Sequence, residues 1–166
     1  MDNQPIRILL IEDSPADVDL IQEMLANMPG FSFNLEHAGQ LSTGLERLAA
    51  GEPDVVLLDL MLPDSQGHET FAKIHAQTPH VPIVVLSSLN DENMAAQAVG
   101  KGAQDYLVKG QVDGNLLSRA IRYAVERNRV EAIRTQSEEA LRRRTRELEL
   151  LNRAGQALSS TLDLDQ

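Results

Sequence analysis

Four short stretches of this 166-residue chain carry side chains that could do chemistry together. Glu12 and Asp13 follow the apolar run IRILLI, Asp59 follows VVLL, Ser87 follows IVVL, and Lys109 follows YLV. Each group stands at the carboxyl end of a run with strand character. If those runs lie side by side and parallel, three carboxylates, one hydroxyl and one ammonium converge on one edge. Three like charges in one cleft repel strongly unless a hard cation neutralises them. Carboxylate oxygens with few other ligands suit Mg2+, which keeps several waters and takes one or two carboxylates plus phosphate oxygens. An Asp beside Mg2+ can attack a phosphoryl group and become an aspartyl phosphate. A lysine and a hydroxyl can then bond the incoming phosphoryl oxygens and offset their charge.

Taken singly, these residues have plainer readings. Glu12 and Asp13 ahead of Ser14-Pro15 also suit a helix N-terminus through its dipole. Ser87 and Ser88 fit a turn, Tyr106 fits a core position, and Lys109 fits a solvated strand end. Asp59 is harder to dismiss, because a charge at the end of an apolar strand needs a partner. His37, His68, His75 and His80 are scattered without metal-ligand spacing, which predicts surface positions for all four.

The elements that must position these groups follow from periodicity. Ile6–Ile11 reads as the first strand, and Ser14-Pro15 caps and starts a helix whose stripe is Leu20, Ile21, Met24, Leu25 and Met28. Phe31, Phe33 and Leu35 alternate as a second strand, and Leu41, Leu45 and Leu48 form the next helical stripe. Val55–Leu58 is a buried-type third strand, followed by a helix over about Glu69–Gln77. Ile83–Leu86 is the fourth strand, Asn90–Val99 a helix, and Tyr106–Val108 the fifth strand. Strands alternating with helices predict an α/β fold, a flavodoxin-like (βα)5 doubly wound parallel sheet of order 2-1-3-4-5. Right-handed crossovers gather the carboxyl ends of all five strands on one edge.

In order and spacing, LLIEDSPAD at 9–17, VVLLDLMLPDSQG at 55–67, PIVVLSS at 82–88 and GAQDYLVKG at 102–110 resemble the receiver domains of bacterial two-component response regulators. The resemblance covers about residues 5–130. It implies that Asp59 accepts a phosphoryl group from a sensor histidine kinase or phosphotransfer protein. It implies that Glu12, Asp13 and Asp59 bind Mg2+, with the backbone carbonyl of Met61 as a further ligand. Ser87 takes the switch-hydroxyl role, Tyr106 the switch-aromatic role, and Lys109 contacts the phosphoryl group. The family usually has proline after this lysine, often with a cis bond, whereas here Gly110 follows. In this family two variable positions, here Met61 and Leu89, flank the acceptor and tune how fast it loses phosphate.

A composition shift near residue 115 predicts a second part. Residues 1–114 hold 5 basic and 17 acidic side chains, whereas 115–166 hold 10 basic and 8 acidic. All seven prolines lie at or before Pro82, and Asn115 to Ala154 is 40 residues without proline or glycine. Asn115 is placed to cap a helix whose stripe is Leu116, Leu117, Ala120, Ile121 and Ala124. Apolar residues continue at Val130, Ile133, Leu141, Leu148, Leu151, Leu158 and Leu162. The seam 141, 144, 148, 151, 155, 158, 162 steps by three and four, with Arg144 and Gly155 as weak members. The step from Val130 to Leu141 has the spacing of a stutter. Forty helical residues make a rod of about 60 Å with no core of its own, so a parallel coiled-coil dimer is expected. The predicted division is a receiver domain at 1–128 and a coiled-coil signalling helix at 129–166. ELELLNRAGQALSSTLDLDQ at 147–166 is similar to the lead-in helix of a GAF sensor domain, implying a missing output or sensor domain.

Composition excludes several functions. With no cysteine there is no disulfide, thiolate nucleophile or Cys-ligated zinc. Aromatics at 3% and no Trp argue against a stacking platform for single-stranded nucleic acid. Arg142, Arg143 and Arg144 lie inside the seam with acids interleaved, unlike a basic-zipper arm, so no nucleic-acid partner is expected. No apolar run approaches the roughly 20 residues of a membrane helix, and no signal peptide precedes Pro5, which predicts no membrane partner and a cytoplasmic location. The chain is expected to be a switch that assists its own phosphorylation rather than an enzyme. The rival is a Mg2+-dependent phosphatase with an Asp nucleophile of the haloacid dehalogenase type. That pattern needs a second Asp two residues on, where Met61 stands. A nucleotide-binding module lacks its Gly-rich loop after the first strand.

Overall fold

The computed structural model describes residues 4–88 and 92–163. Twelve elements follow in order: β1 (Ile6–Ile11), α1 (Pro15–Ala26), β2 (Phe33–Ala38), α2 (Leu41–Ala50), β3 (Val55–Asp59), β4 (Met61–Leu62), β5 (Ser65–Gln66), α3 (His68–Gln77), β6 (Ile83–Ser87), α4 (Glu92–Gly100), β7 (Asp105–Val108) and α5 (Gly114–Leu162). The chain divides into two compact units, 1–128 and 129–166. Among the described residues, no helix is long and apolar enough to cross a membrane.

In the first unit, five parallel strands lie in the order β2-β1-β3-β6-β7. This is the expected 2-1-3-4-5 arrangement, the fourth and fifth strands being numbered β6 and β7 because a short hairpin, β4–β5, intervenes. Every residue of β3 and β6 is buried, which is why both read as unbroken apolar runs. Alternate side chains go to opposite faces. Leu9, Ile11, Val56, Leu58, Ile83 and Val85 share one core with Leu41, Leu48, Phe71, Ile74, Ala95 and Ala98 from α2, α3 and α4. Ile8, Leu10, Val55, Leu57, Val84 and Leu86 share the other with Val18, Ile21 and Leu25 of α1 and Leu117, Ile121 and Ala124 of α5. A one-residue slip of any central strand would exchange these sets, so the register is fixed by both faces at once.

Two local readings change. Helix α5 is capped by Asp113, whose Oδ1 accepts from Leu116 N at 2.8 Å, and Asn115 lies inside the helix. Gly114 opens the helix, packed so closely that a Cβ there would lie 2.8 Å from the Met24 carbonyl oxygen of α1. Phe31 is buried ahead of β2 rather than within it. The expected start of the fourth helix at Asn90 lies outside the described residues, as does Leu89.

In the second unit, residues 129–162 are helical, and all of them are exposed. The seam side chains Val130, Ile133, Leu141, Leu148, Leu151, Leu158 and Leu162 are 57–73% exposed.

Candidate functional site

Register alone brings the reactive groups together. Ile11 pairs with Leu58, so Glu12 and Asp59 emerge side by side from β1 and β3. Asp59 pairs with Leu86 and Ser87 with Val108, which sets Ser87 and Lys109 at the ends of the next two strands. The Lys109 amide donates to the Ser87 carbonyl at 2.8 Å and prolongs the ladder to the site.

Carboxylate oxygens of Glu12, Asp13 and Asp59 lie within 4.8 Å of one another. Glu12 is wholly buried and Asp59 is 6% exposed, while Asp13 faces solvent. Asp59 Oδ1 accepts from Met61 N at 2.9 Å, and Oδ2 accepts from Lys109 Nζ at 2.8 Å. Lys109 Nζ also lies 3.1 Å from Asp17 Oδ2 and 2.5 Å from Glu12 Oε2. The contact with Glu12 is an ion pair without hydrogen-bond alignment, so this buried oxygen has no aligned donor among the described residues. Glu12 Oε1 accepts from Ser14 N at 3.1 Å.

Burial disfavours the charged form of Glu12 and raises its pKa to about 7, the Asp59 charge adding to the effect while Lys109 opposes it. Burial alone would lower the Lys109 pKa. The hydrogen bond and charge of Asp59, with the charge of Glu12, outweigh it and raise the pKa, so the ammonium stays protonated. The cleft thus combines clustered hard oxygen donors, one of them buried without an aligned donor, with a single ammonium as counter-charge. That donor set fits a small hard cation such as Mg2+.

Ser87 is 2% exposed, and its Oγ has no hydrogen-bond partner among the described residues. A buried hydroxyl without a partner at a strand end suggests a ligand-facing role. Tyr106 sits in β7 opposite Val85 and is 36% exposed, so it is not a core residue. The loop after Lys109 closes by Gln111 N and Val112 N on the Val108 carbonyl, at 3.0 and 3.1 Å. A Cβ on Gly110 would meet nothing within 4 Å, so nothing packed against that position requires glycine.

Two contacts were missed by sequence reasoning. Asp17 is legible as part of a capped first turn, since Ser14 Oγ accepts from its amide at 3.4 Å. Its carboxylate's approach to Lys109 joins residues 92 apart and has no local signal. His37 is exposed as expected, yet its Nε2–H donates to the Glu12 carbonyl at 2.7 Å. His75 departs further from a plain surface position, being half-buried and stacked on Phe71 with ring centroids 5.3 Å apart.

A family model for the response regulator receiver domain matches residues 8–122. The chain is 36% identical over 115 residues to protein-glutamate methylesterase/protein-glutamine glutaminase 2 of Anaeromyxobacter dehalogenans (strain 2CP-C), covering 69% of this chain and 33% of that one. It is 35% identical over 121 residues to the KDP operon transcriptional regulatory protein KdpE of Escherichia coli (strain K12), covering 73% of this chain and 52% of that one. It therefore spans about a third to a half of the length of these relatives. Among solved structures, the signal receiver domain of an HD domain-containing protein from Pseudomonas fluorescens Pf-5 superposes with a TM-score of 0.69 at 29% identity, covering 81% of this chain and 96% of that one. The family match runs from within β1 into α5 and takes in every group gathered at the sheet edge. This chain belongs to the response regulator receiver domain family, the signalling switches of two-component systems.

Proposed function

We propose that residues 1–128 form a receiver whose Asp59 accepts a phosphoryl group from a histidine kinase or phosphotransfer protein, and that 129–166 form a dimeric signalling helix. The observation that carries the reading is Asp59 held between the Met61 amide and the Lys109 ammonium, within 4.8 Å of Glu12 and Asp13 oxygens. Glu12, Asp13, Asp59 and the Met61 carbonyl would hold Mg2+, which when bound neutralises the carboxylates and draws charge from phosphoryl oxygens.

The chain's own groups divide the remaining work. An oxygen of Asp59 attacks phosphorus as the donor's N–P bond breaks, and the imidazole leaves with the electron pair. The Lys109 ammonium is already at Asp59 and can turn a donor onto the new phosphoryl oxygens. Ser87 Oγ offers a hydroxyl that no group among the described residues occupies. Once Ser87 and Lys109 are drawn to the phosphoryl group, the ends of β6 and β7 have new partners, and Tyr106 on β7 carries the change to the surface. The reading makes the chain a phosphoacceptor rather than an enzyme, located in the cytoplasm where such kinases act. A further output or sensor domain, with a GAF lead-in at 147–166, would receive the signal.

One test separates this from phosphatase chemistry. Asp13→Asn is expected to weaken Mg2+ binding by at least about tenfold, since it removes a unit charge beside a divalent ion, while the fold is retained. Calorimetry would measure the binding, and labelling by phosphoramidate should proceed without turnover of external phosphoesters. Unchanged Mg2+ affinity in the variant, or sustained release of phosphate from added phosphoesters, would contradict the reading.

The lifetime of the phosphorylated state follows from the flanking residues. Hydrolysis needs a water held in line with phosphorus. Met61 is 38% exposed, and its thioether holds a water poorly. Leu89, which lies outside the described residues, is equally unable to orient one. Slow self-dephosphorylation is expected, and Met61→Asn with Leu89→Glu should accelerate it about tenfold or more. First-order decay of the phosphorylated protein in excess Mg2+ measures this. Wild-type decay within seconds, or no acceleration in the double variant, would contradict it.

A further inference from the structure

Helix α2 begins without a cap of its own. Gln40 holds the N-cap position in an extended conformation, but its side chain makes no capping hydrogen bond. The missing acceptor comes from elsewhere: Asp64 Oδ1 accepts from Leu41 N at 2.8 Å and Oδ2 from Ser42 N at 2.9 Å. These are charge-assisted bonds at the positive end of the helix dipole, and they hold the Asp64 carboxyl below the usual carboxylate range.

Asp64 occupies the tip of the hairpin that follows the acceptor. Met61 pairs with Gln66 and Leu62 with Ser65, which leaves Pro63 and Asp64 as the two-residue turn. Twisted two-residue hairpins favour turns with positive φ, and no non-glycine residue here has one. Two strands of two residues each do not stand alone either. The hairpin is therefore held by what it touches. At its base, Gly67 N donates to the Leu60 carbonyl at 2.8 Å, and Thr70 Oγ1 donates to Ser65 Oγ at 2.9 Å. Leu62 is buried beneath it. At its tip stands the Asp64 clamp.

We infer that Asp64 is a positioning residue for the metal loop: by clamping the hairpin tip to α2, it fixes the backbone of Met61. That backbone matters on both sides, for the Met61 amide donates to Asp59 Oδ1 and its carbonyl is the fourth proposed Mg2+ ligand. The inference rests on the metal reading above. Asp64 touches neither Asp59 nor Lys109 nor the carboxylate cluster, so its effect reaches the site only through Met61. Loss of the clamp should lower Mg2+ affinity about tenfold, the scale seen when a group supporting a metal ligand is removed. The maximal phosphorylation rate at saturating Mg2+ should change little.

The same carboxylate also stabilises α2, so a cap effect must be separated from positioning. Gln40→Asp gives the helix a local acceptor, because an extended N-cap Asp can bond the free amides of the first turn. The experiment uses residues 1–166 as wild type, Asp64→Ala, Asp64→Asn, Gln40→Asp/Asp64→Ala and Asp13→Asn. It measures thermal midpoint, Mg2+ affinity by calorimetry, and the Mg2+ dependence of labelling by phosphoramidate. Asp64→Ala should lose a few degrees of Tm and raise the half-saturating Mg2+ about tenfold. Asp64→Asn keeps an acceptor oxygen and should recover part of both. Gln40→Asp/Asp64→Ala should regain Tm while Mg2+ affinity stays low. Unchanged affinity in Asp64→Ala, or affinity that returns together with Tm in the double variant, would overturn the positioning role alone. Wild-type protein that binds no Mg2+, or binds it no better than Asp13→Asn, would overturn the metal reading on which it rests.

Discussion

Asp59→Asn is expected to abolish Mg2+-dependent labelling by acetyl phosphate or phosphoramidate. The amide nitrogen and oxygen of Asn have almost the volume of the carboxylate, but neither is an anionic nucleophile. The rest of the site tolerates the change. Met61 N can still donate to the side-chain oxygen that replaces Oδ1, and Lys109 retains Glu12 and Asp17 as counter-charges. One negative charge beside the buried Glu12 also disappears, which relieves repulsion in the unloaded site. The variant should therefore fold while its labelling rate drops by roughly three orders of magnitude or more, about 4 kcal/mol of barrier. Intact-mass spectrometry against time reads the rate, and circular dichroism confirms the fold. Undiminished labelling of folded variant would remove Asp59 from the mechanism.

The second large effect concerns association. Residues 1–166 are expected to dimerise and residues 1–128 to be largely monomeric. Seven seam side chains between Val130 and Leu162 are 57–73% exposed in a single chain. Full burial of each aliphatic side chain is worth about 1.5–3 kcal/mol, while a lone helix gains nothing from them. Ion pairs within the helix, such as Arg134–Glu138 at 3.7 Å, contribute only a few tenths of a kcal/mol. A second copy of the same seam would supply the burial at heptad spacing, with Arg144 and Gly155 as its weak layers. Leu148→Arg with Leu151→Arg should match the truncation, because two charged layers lose burial and repel. Sedimentation at matched concentrations decides: equal mass states for 1–166 and 1–128 would contradict the dimer.

How much of this was legible depended on whether a signal was local. β3 and β6 are buried throughout and β1 over its last four residues, so their apolar runs announce them. Glu12, Asp59 and Ser87 stand at the ends of such runs and Lys109 at the end of the shorter β7, so strand order alone could place them at one edge. The β4–β5 hairpin could not be foreseen, since two-residue strands carry no period. Asp113 and Asn115 are both good N-caps two residues apart, and the side-chain bond to the helix is made by Asp113. Asp17 and His37 reach the site across 92 and 25 residues of sequence, and Asp64 reaches α2 across 22 or 23. Such contacts exist only once the sheet has formed.

The most direct test of the central claim is to map the phosphoryl group on wild-type protein. After labelling in Mg2+, borohydride reduction converts a phosphorylated aspartate into homoserine, which peptide sequencing by mass spectrometry locates. Homoserine is expected at position 59 in labelled protein, and none when Mg2+ is chelated. Homoserine at Asp13, Asp17 or any other aspartate with Asp59 unmodified, or none in fully labelled protein, would contradict it.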